Sequence, residues 1–341
     1  MKTSDFDYYL PKGQIAQLPV EPRDSSKLMV VDRSEKTIRH RMFTDILDYL
    51  SEGDVLVFND SKVIPARLYG TTEYGNPIEL MLLSKRQDHL WKVLVKPGKR
   101  VKKGSLFTVS TKVGVEMSGF VEEVQDDGTR IVRIFGEENI PVHGVMPLPP
   151  YIKEKVNDPD RYQTIYAKKE GSIAAPTAGL HFTEQLMSSI KEKGCEIVFV
   201  TLHVGWDSFR EVRTENPRDH EIHSEYWELT DECSSVLGKA KSEGRKVVSI
   251  GTTATRLLEN ASQKRNGYPI VGGSGWADIF ITPGYKFQMV DQLVTNFHLP
   301  KSSLLMLVSA FADKEFILHA YEEAIRHNYR FYSFGDAMLI F

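Results

Sequence analysis

The hydrophobic period changes once along this chain, and that change limits the fold more than any other feature. From about Arg67 to Pro149, runs such as Pro77-Ile78-Glu79-Leu80-Met81-Leu82-Leu83, Leu90-Trp91-Lys92-Val93-Leu94-Val95, Leu106-Phe107-Thr108-Val109 and Arg130-Ile131-Val132-Arg133-Ile134-Phe135 are short and broken by glycine. A period of two with turn residues between the runs predicts a small antiparallel β-barrel. Pro147-Leu148-Pro149-Pro150 ends the stretch with a stiff connector. Beyond it the spacing predicts a helix from Thr183 to Gly194, a buried strand over 196–204, and a helix over 230–243 stopped by Gly244. A strand over 246–250 runs into Gly251-Thr252-Thr253, a further strand is expected at Asp278–Ile281, and helices at 301–312 and 313–328. Gly272-Gly273-Ser274-Gly275 reads as a mobile loop. Strands alternating with helices predict an α/β domain with a mixed, largely parallel sheet. The expected division is a discontinuous α/β domain, residues 1–66 and 150–341, into which the barrel, residues 67–149, is inserted.

Composition removes several function classes. At 341 residues the chain exceeds what one core usually holds, and 41% hydrophobic with 26% charged residues is ordinary for a globular protein. Cys195 and Cys233, without Cys-x-x-Cys spacing, support neither a disulfide framework nor a thiolate zinc site. The longest apolar-rich run, Leu304–Ala312, falls well short of the roughly 20 residues that span a bilayer, and a cytoplasmic location is expected. A net charge of −3 argues against a uniformly basic coat. Lys96, Lys99, Arg100, Lys102 and Lys103 nevertheless lie together without an acid, which suits phosphate binding and equally describes a solvated hairpin loop.

The small-residue stretch Gly171–Thr183 carries His181 towards a helix start. Around Thr177 and Gly179 it leaves room for a ligand against the main chain, or packs as a tight turn. In open α/β sheets ligands collect beyond the carboxyl ends of strands, and several loaded loops fall there. One is Thr201-Leu202-His203-Val204-Gly205; another brings Thr252 and Thr253 to a helix start, either as anion or ribose ligands or as plain N-caps. Asn296 and His298 precede a further helix. A single such histidine is readily a core residue satisfied by a carbonyl, but three at equivalent topological positions, His181, His203 and His298, point to a site. His220 and His223 have the wrong spacing for a zincin, so no metal is expected; no Walker loop or Gly-x-Gly-x-x-Gly follows a strand.

Taken in order, the motifs resemble one family, the S-adenosylmethionine:tRNA ribosyltransferase-isomerases of queuosine biosynthesis. The blocks include Asn59-Asp60-Ser61-Lys62-Val63-Ile64-Pro65-Ala66-Arg67-Leu68, Met146-Pro147-Leu148-Pro149-Pro150-Tyr151-Ile152 and Ala174-Ala175-Pro176-Thr177-Ala178-Gly179-Leu180-His181-Phe182-Thr183. They continue through Thr201-Leu202-His203-Val204-Gly205, Gly251-Thr252-Thr253-Ala254-Thr255-Arg256, Asn296-Phe297-His298-Leu299-Pro300-Lys301-Ser302-Ser303 and Phe334-Gly335-Asp336-Ala337. Two places depart from the family pattern: Trp206–Val212 replaces its Gly-Thr-Phe-x-Pro-Val, and Lys62 stands where arginine is common. The resemblance implies transfer of the ribosyl part of S-adenosylmethionine to 7-aminomethyl-7-deazaguanine at the tRNA wobble position, with loss of adenine and methionine. The donor is then a substrate, and no prosthetic group is expected. His181, His203 and His298 become acid–base candidates. Thr252, Thr253 and Arg256 would hold the ribose or carboxylate of the donor, and Asp278 or Trp276 would face its sulfonium. The basic run would steer tRNA. The rival classes are a non-catalytic RNA-binding module and a metal-dependent hydrolase centred on His220 and His223.

Overall fold

The computed structural model describes residues 1–109, 117–154, 156, 158–206, 211–222, 224–263 and 270–341. The strands in chain order are β1 (Lys27–Asp32), β2 (Thr37–Met42), β3 (Val55–Asn59), β4 (Ser61–Val63), β5 (Arg67–Thr72), β6 (Pro77–Gln87), β7 (Leu90–Lys96), β8 (Leu106–Val109) and β9 (Met117–Val124). They continue as β10 (Arg130–Phe135), β11 (Lys169–Ser172), β12 (Glu196–Leu202), β13 (Glu225–Leu229), β14 (Val247–Ile250), β15 (Gly273–Ala277), β16 (Gln292–Asn296) and β17 (Ala337–Ile340). The helices are α1 (Ile140–His143), α2 (Glu184–Glu192), α3 (Asp231–Ser242), α4 (Thr252–Gln263), α5 (Ser303–Ala312) and α6 (Lys314–Arg326). The chain divides into two compact units: residues 1–62, 149–169 and 175–341, and residues 63–148 and 170–174.

In the smaller unit the period of two closes on itself. Strands β10-β7-β6-β5-β8-β9 form a closed antiparallel barrel, so no strand edge is left unpaired. Alternate side chains fill it: Leu68, Leu80, Leu82, Val93, Phe107, Val121, Val132 and Ile134 are buried, while their strand neighbours, buried Met81 excepted, are more exposed.

The larger unit is built on a nine-stranded mixed sheet, ordered β15-β13-β12-β3-β14-β16-β17-β1-β2. Its centre, β12-β3-β14-β16, is parallel, as the α/β reading requires; β1 and β17 form a second parallel pair, and antiparallel strands close both edges. β3, β14, β16 and β17 are buried at every position, which is why β3, β14 and β17 read as near-continuous apolar runs rather than alternations. On one face Phe43, Phe58, Phe182, Leu56, Val248, Ile250 and Val294 share a core with Leu186 and Ile190 of α2. Phe182 meets the rings of Phe43 and Phe58 edge-on at 5.1 and 4.8 Å. Truncating any one of these rings to alanine costs about 3–5 kcal/mol.

Helices α2, α3, α5 and α6 start where the sequence offers a cap. Oγ1 of Thr183, Oγ1 of Thr230, Oγ of Ser302 and Oδ1 of Asp313 accept the N–H of Leu186, Cys233, Leu305 and Phe316 at 3.0–3.2 Å. Gly194 and Gly244, at φ +85° and +70°, follow α2 and α3 in the left-handed conformation that ends helices.

The expected strand at 278–281 is irregular, and the glycine-rich segment before it is instead edge strand β15. The reason is the partner: Gly273–Ala277 pairs residue by residue with Glu225–Leu229, and a side chain at Gly275 would stand against the ring of buried Trp227, 3.5 Å away. Packing against a neighbouring strand, not intrinsic propensity, makes this a strand.

Candidate functional site

Strand parity decides which candidates share a surface. On β16, Val294 belongs to the core with Phe43 and Phe182, so Asn296, two residues on, faces the same side; Thr295 faces the reverse. On β12 the partly buried Ile197 and Phe199 pack on that same core, which puts Thr201 on its face and aligns His203 with it. Asn296, Thr201 and His203 therefore lie on one face of the sheet at the carboxyl ends of parallel strands, with β3 and β14 between β16 and β12.

His181 reaches this face from above. It ends a 3-10 turn, Thr177–His181, and its ring stacks on Phe43 at 4.8 Å. The amide nitrogen of Asn296 donates to Nε2 at 3.2 Å and also to the carbonyl of Tyr332 at 3.2 Å. With Nε2 accepting, Nδ1 carries the proton and donates to Oγ of Ser26 at 2.8 Å. Burial, reinforced by Arg330, Arg161 and Arg23, pushes the His181 pKa down to about 3. The ring is thus a neutral, oriented imidazole. Tyr332, which supplies the carbonyl to Asn296, sits at φ +71°, a conformation that costs a bulky residue energy and is found where a site dictates the backbone.

The small-residue loop packs on its own protein at Gly179, where a Cβ would lie 2.0 Å from the Tyr166 hydroxyl oxygen. Thr177 is half-buried. The α2 N-terminus is not an open anion site: Thr183 caps it, and its hydroxyl in turn donates to Asp24 at 2.8 Å. The loop does adjoin the next one, since a Cβ on Gly251 would sit 3.6 Å from Cβ of Ala178.

His298 is not brought to this face. Its Nε2 bonds Oγ1 of Thr295 at 2.8 Å, on the reverse face of β16, its backbone N–H donates to Tyr321 at 3.0 Å, and Tyr8 donates to its carbonyl at 2.5 Å. Burial alone pushes its pKa down to about 3. His181 and His298 lie on opposite sides of one strand.

His203 is half-buried beside Asp60, Glu228 and Lys169; burial lowers its pKa more than the two carboxylates raise it. Its Nδ1 takes no hydrogen bond among the described residues. Asp60 was not singled out from sequence although it lies in a matching block. It accepts a hydrogen bond from Thr201 Oγ1 at 2.6 Å, and burial raises its pKa against the pull of that bond and of Lys169 and Lys168. A carboxyl group held above its ordinary range is a candidate proton donor or acceptor.

Thr252 is buried and Thr253 half-buried at the head of α4, and Oγ1 of Thr253 has no partner among the described residues. Arg256, expected to hold the donor, is spent inside the protein: it is paired with Glu225, both almost fully buried, and Glu225 also accepts the N–H of Gly205 at 2.8 Å. Asp278 is exposed just past β15.

In the barrel unit all five cations of the basic run are exposed, Lys96 at the end of β7 and the other four on the connection to β8. Buried Arg130 fixes that connection from beneath, donating to the carbonyl of Gly98 at 2.6 Å and to that of Val101 at 3.4 Å. The loop therefore presents its lysines on a braced backbone. His223 lies outside the described residues, as do residues 207–210 of the departure at Trp206–Val212. Among the described residues, His40 on β2, Glu323 on α6 and His327 just past it are the group spaced for three metal ligands. No helix among them is long and apolar enough to cross a membrane.

A family model described as queuosine biosynthesis protein matches residues 3–340. The S-adenosylmethionine:tRNA ribosyltransferase-isomerase of Staphylococcus haemolyticus is 50% identical over 345 residues, with 100% of each chain covered. That of Dehalococcoides mccartyi is 51% identical over 342 residues, again with 100% of each covered. A crystal structure of the S-adenosylmethionine tRNA ribosyltransferase of Thermotoga maritima is 38% identical, with a TM-score of 0.57 over 99% of this chain and 100% of that one.

Proposed function

The chain belongs to the S-adenosylmethionine:tRNA ribosyltransferase-isomerase family of queuosine biosynthesis, and on that footing we propose that it builds epoxyqueuosine on tRNA. The ribosyl group of S-adenosylmethionine goes to the aminomethyl group of 7-aminomethyl-7-deazaguanine at the wobble position, and adenine and methionine leave. The donor enters as a substrate, and the reading calls for no prosthetic group. A tRNA substrate also makes the cytoplasm the place of work.

The observation that carries this reading is the neutral His181 clamped between Ser26 and Asn296 at the carboxyl ends of the parallel strands. The sulfonium acidifies the adjacent C5′ hydrogens, so a base generates an ylide; adenine departs more readily when protonated; the attacking amine must be neutral. These steps need positioned groups that take up and give back protons. His181 supplies an oriented imidazole. His203 and Asp60, neighbours on the same face, supply a second imidazole and a carboxyl group of raised pKa. His298 acts from the reverse face as a positioning residue, through Thr295 to Asn296. Thr177, Thr252 and Thr253 offer hydroxyls to the ribosyl donor, Gly179 keeps the loop seated, Arg256 fixes the Gly205 turn through Glu225, and Asp278 offers a carboxylate to the sulfonium. Lys96, Lys99, Arg100, Lys102 and Lys103 steer the tRNA phosphates.

The test is adenine release with S-adenosylmethionine and either unmodified or aminomethyl-deazaguanine tRNA. Adenine is expected with the modified tRNA alone. Release without it, or none with it, refutes the reading, and activity that survives a chelator removes the metal hydrolase.

A further inference from the structure

The sheet edge at β12, β13 and β15 carries an aromatic row, of which the proton-transfer roles above use only His203. The β12–β13 register pairs Thr201 with Glu228 and Leu202 with Trp227, and the next pair, held by the N–H of His203 donating to the carbonyl of Tyr226 at 2.9 Å, is His203 with Tyr226. On the other side Tyr226 pairs with Trp276. Directly opposed residues share a face, so three aromatic rings form one row across the strands. The His203 and Tyr226 rings lie nearly parallel at 6.0 Å, and Trp276 meets Tyr226 edge-on at 5.6 Å.

Exposure rises along the row. His203 and Tyr226 are half-buried, and Trp276 is 58% exposed on the edge strand. The reverse face is closed by buried Trp227 against Gly275, so Trp276 has no interior to occupy. Polar groups border the row: Tyr226 donates to Glu228 at 3.2 Å, and Lys169 pairs with Glu228 at 3.2 Å. Three rings with such a border are far too small for a protein interface, which needs roughly 1,000 Å². A small-molecule donor is ordinarily enclosed over most of its surface, and an open edge does not enclose. What an exposed indole backed by two rings does fit is the flat face of an unpaired base.

We propose that His203, Tyr226 and Trp276 form a stacking platform for a nucleobase of the single-stranded anticodon loop, on the same sheet face as His181. The proposal rests on the tRNA-modifying reading above and adds to it the element that grips the RNA. Trp276 acts as a binding and positioning residue and takes no part in proton transfer.

Steady-state kinetics of Trp276→Ala and Trp276→Phe test it, with adenine release as the assay and tRNA and S-adenosylmethionine varied separately. Losing one base stack raises KM for tRNA about tenfold or more in W276A, while W276F recovers most of it and KM for the donor stays put. An anticodon stem-loop should quench tryptophan fluorescence in the native protein and lose that quench in W276F. A wild-type KM for tRNA in W276A, or a rise confined to S-adenosylmethionine, overturns the platform. If the native protein releases no adenine at all, the functional reading fails instead, and stem-loop quenching still reports on the platform.

Discussion

Replacing Glu225 with alanine gives the sharpest test of how the site is built. The Arg256 and Glu225 side chains are 7% and 5% exposed, so their charges hold each other inside the protein rather than in water. Glu225→Ala leaves a buried guanidinium without its carboxylate and strips the Gly205 N–H of its acceptor. Removing one partner of a buried pair costs about 3–5 kcal/mol, most of it the uncompensated charge. By contrast Lys2–Glu215, with side chains 65% and 81% exposed, is worth at most about 1 kcal/mol. Urea unfolding should therefore show a large loss for Glu225→Ala and a similar one for Arg256→Leu. The double variant Glu225→Leu, Arg256→Leu should lose clearly less than the sum, because no lone charge remains. The penalty should persist at about 1 M salt, where an exposed pair is screened. A Glu225→Ala loss below about 1 kcal/mol would refute the reasoning, since it would mean that the guanidinium finds water without its partner. Turnover should fall too, because Gly205 lies two residues beyond His203 on the turn that Glu225 holds.

Three further outcomes follow from the same geometry. The buried rings of His181 and His298 titrate near 3 in the fold and near 6.5 in the unfolded chain. Their contribution is thus complete above about pH 6.5 and is lost as pH falls towards 3, by up to about 1.4 kcal/mol per pH unit for each ring; His298→Gln should remove one ring's share of the slope below pH 6.5, and a flat profile there would exclude both assignments. Asp60→Asn keeps the hydrogen bond from Thr201 but cannot take up a proton, so kcat should fall at least about 100-fold and the acidic limb of its pH profile should disappear while both KM values hold; an intact acidic limb would exclude Asp60. Neutralising Lys99, Arg100 and Lys102 should flatten the dependence of log Kd for tRNA on log salt by about 2–3 units, leaving donor binding unchanged, whereas an unaltered slope would place the phosphates elsewhere.

What could be read from the residues alone was whatever local spacing determines. Alternation between Arg67 and Pro149 is enough for a barrel, and threonine, serine or aspartate ahead of an apolar run followed by glycine is enough for a helix with ends. β15 was hidden because its pairing rests on Tyr226 and Trp227 of a strand nearly fifty residues earlier, which no window along Gly273–Ala277 contains. The site was half legible for a related reason. His181, His203 and His298 occupy equivalent places in the chain, but their grouping depends on which side of a strand each one faces. Asn296 and Thr295 differ by one position, and that single step sends His181 to one face and His298 to the other. Asp60 was invisible as a proton carrier because its raised pKa comes from burial and is moderated by Thr201, 141 residues away. The motif shows that a carboxylate is present; only the fold, by withdrawing it from water while leaving it one hydrogen bond, lifts its pKa above the ordinary carboxylate range. Moving Asp60 back into water without moving its backbone should therefore return it to an ordinary surface acid, and Thr201→Val should do the reverse, raising its pKa further by removing the bond that favours the charged form.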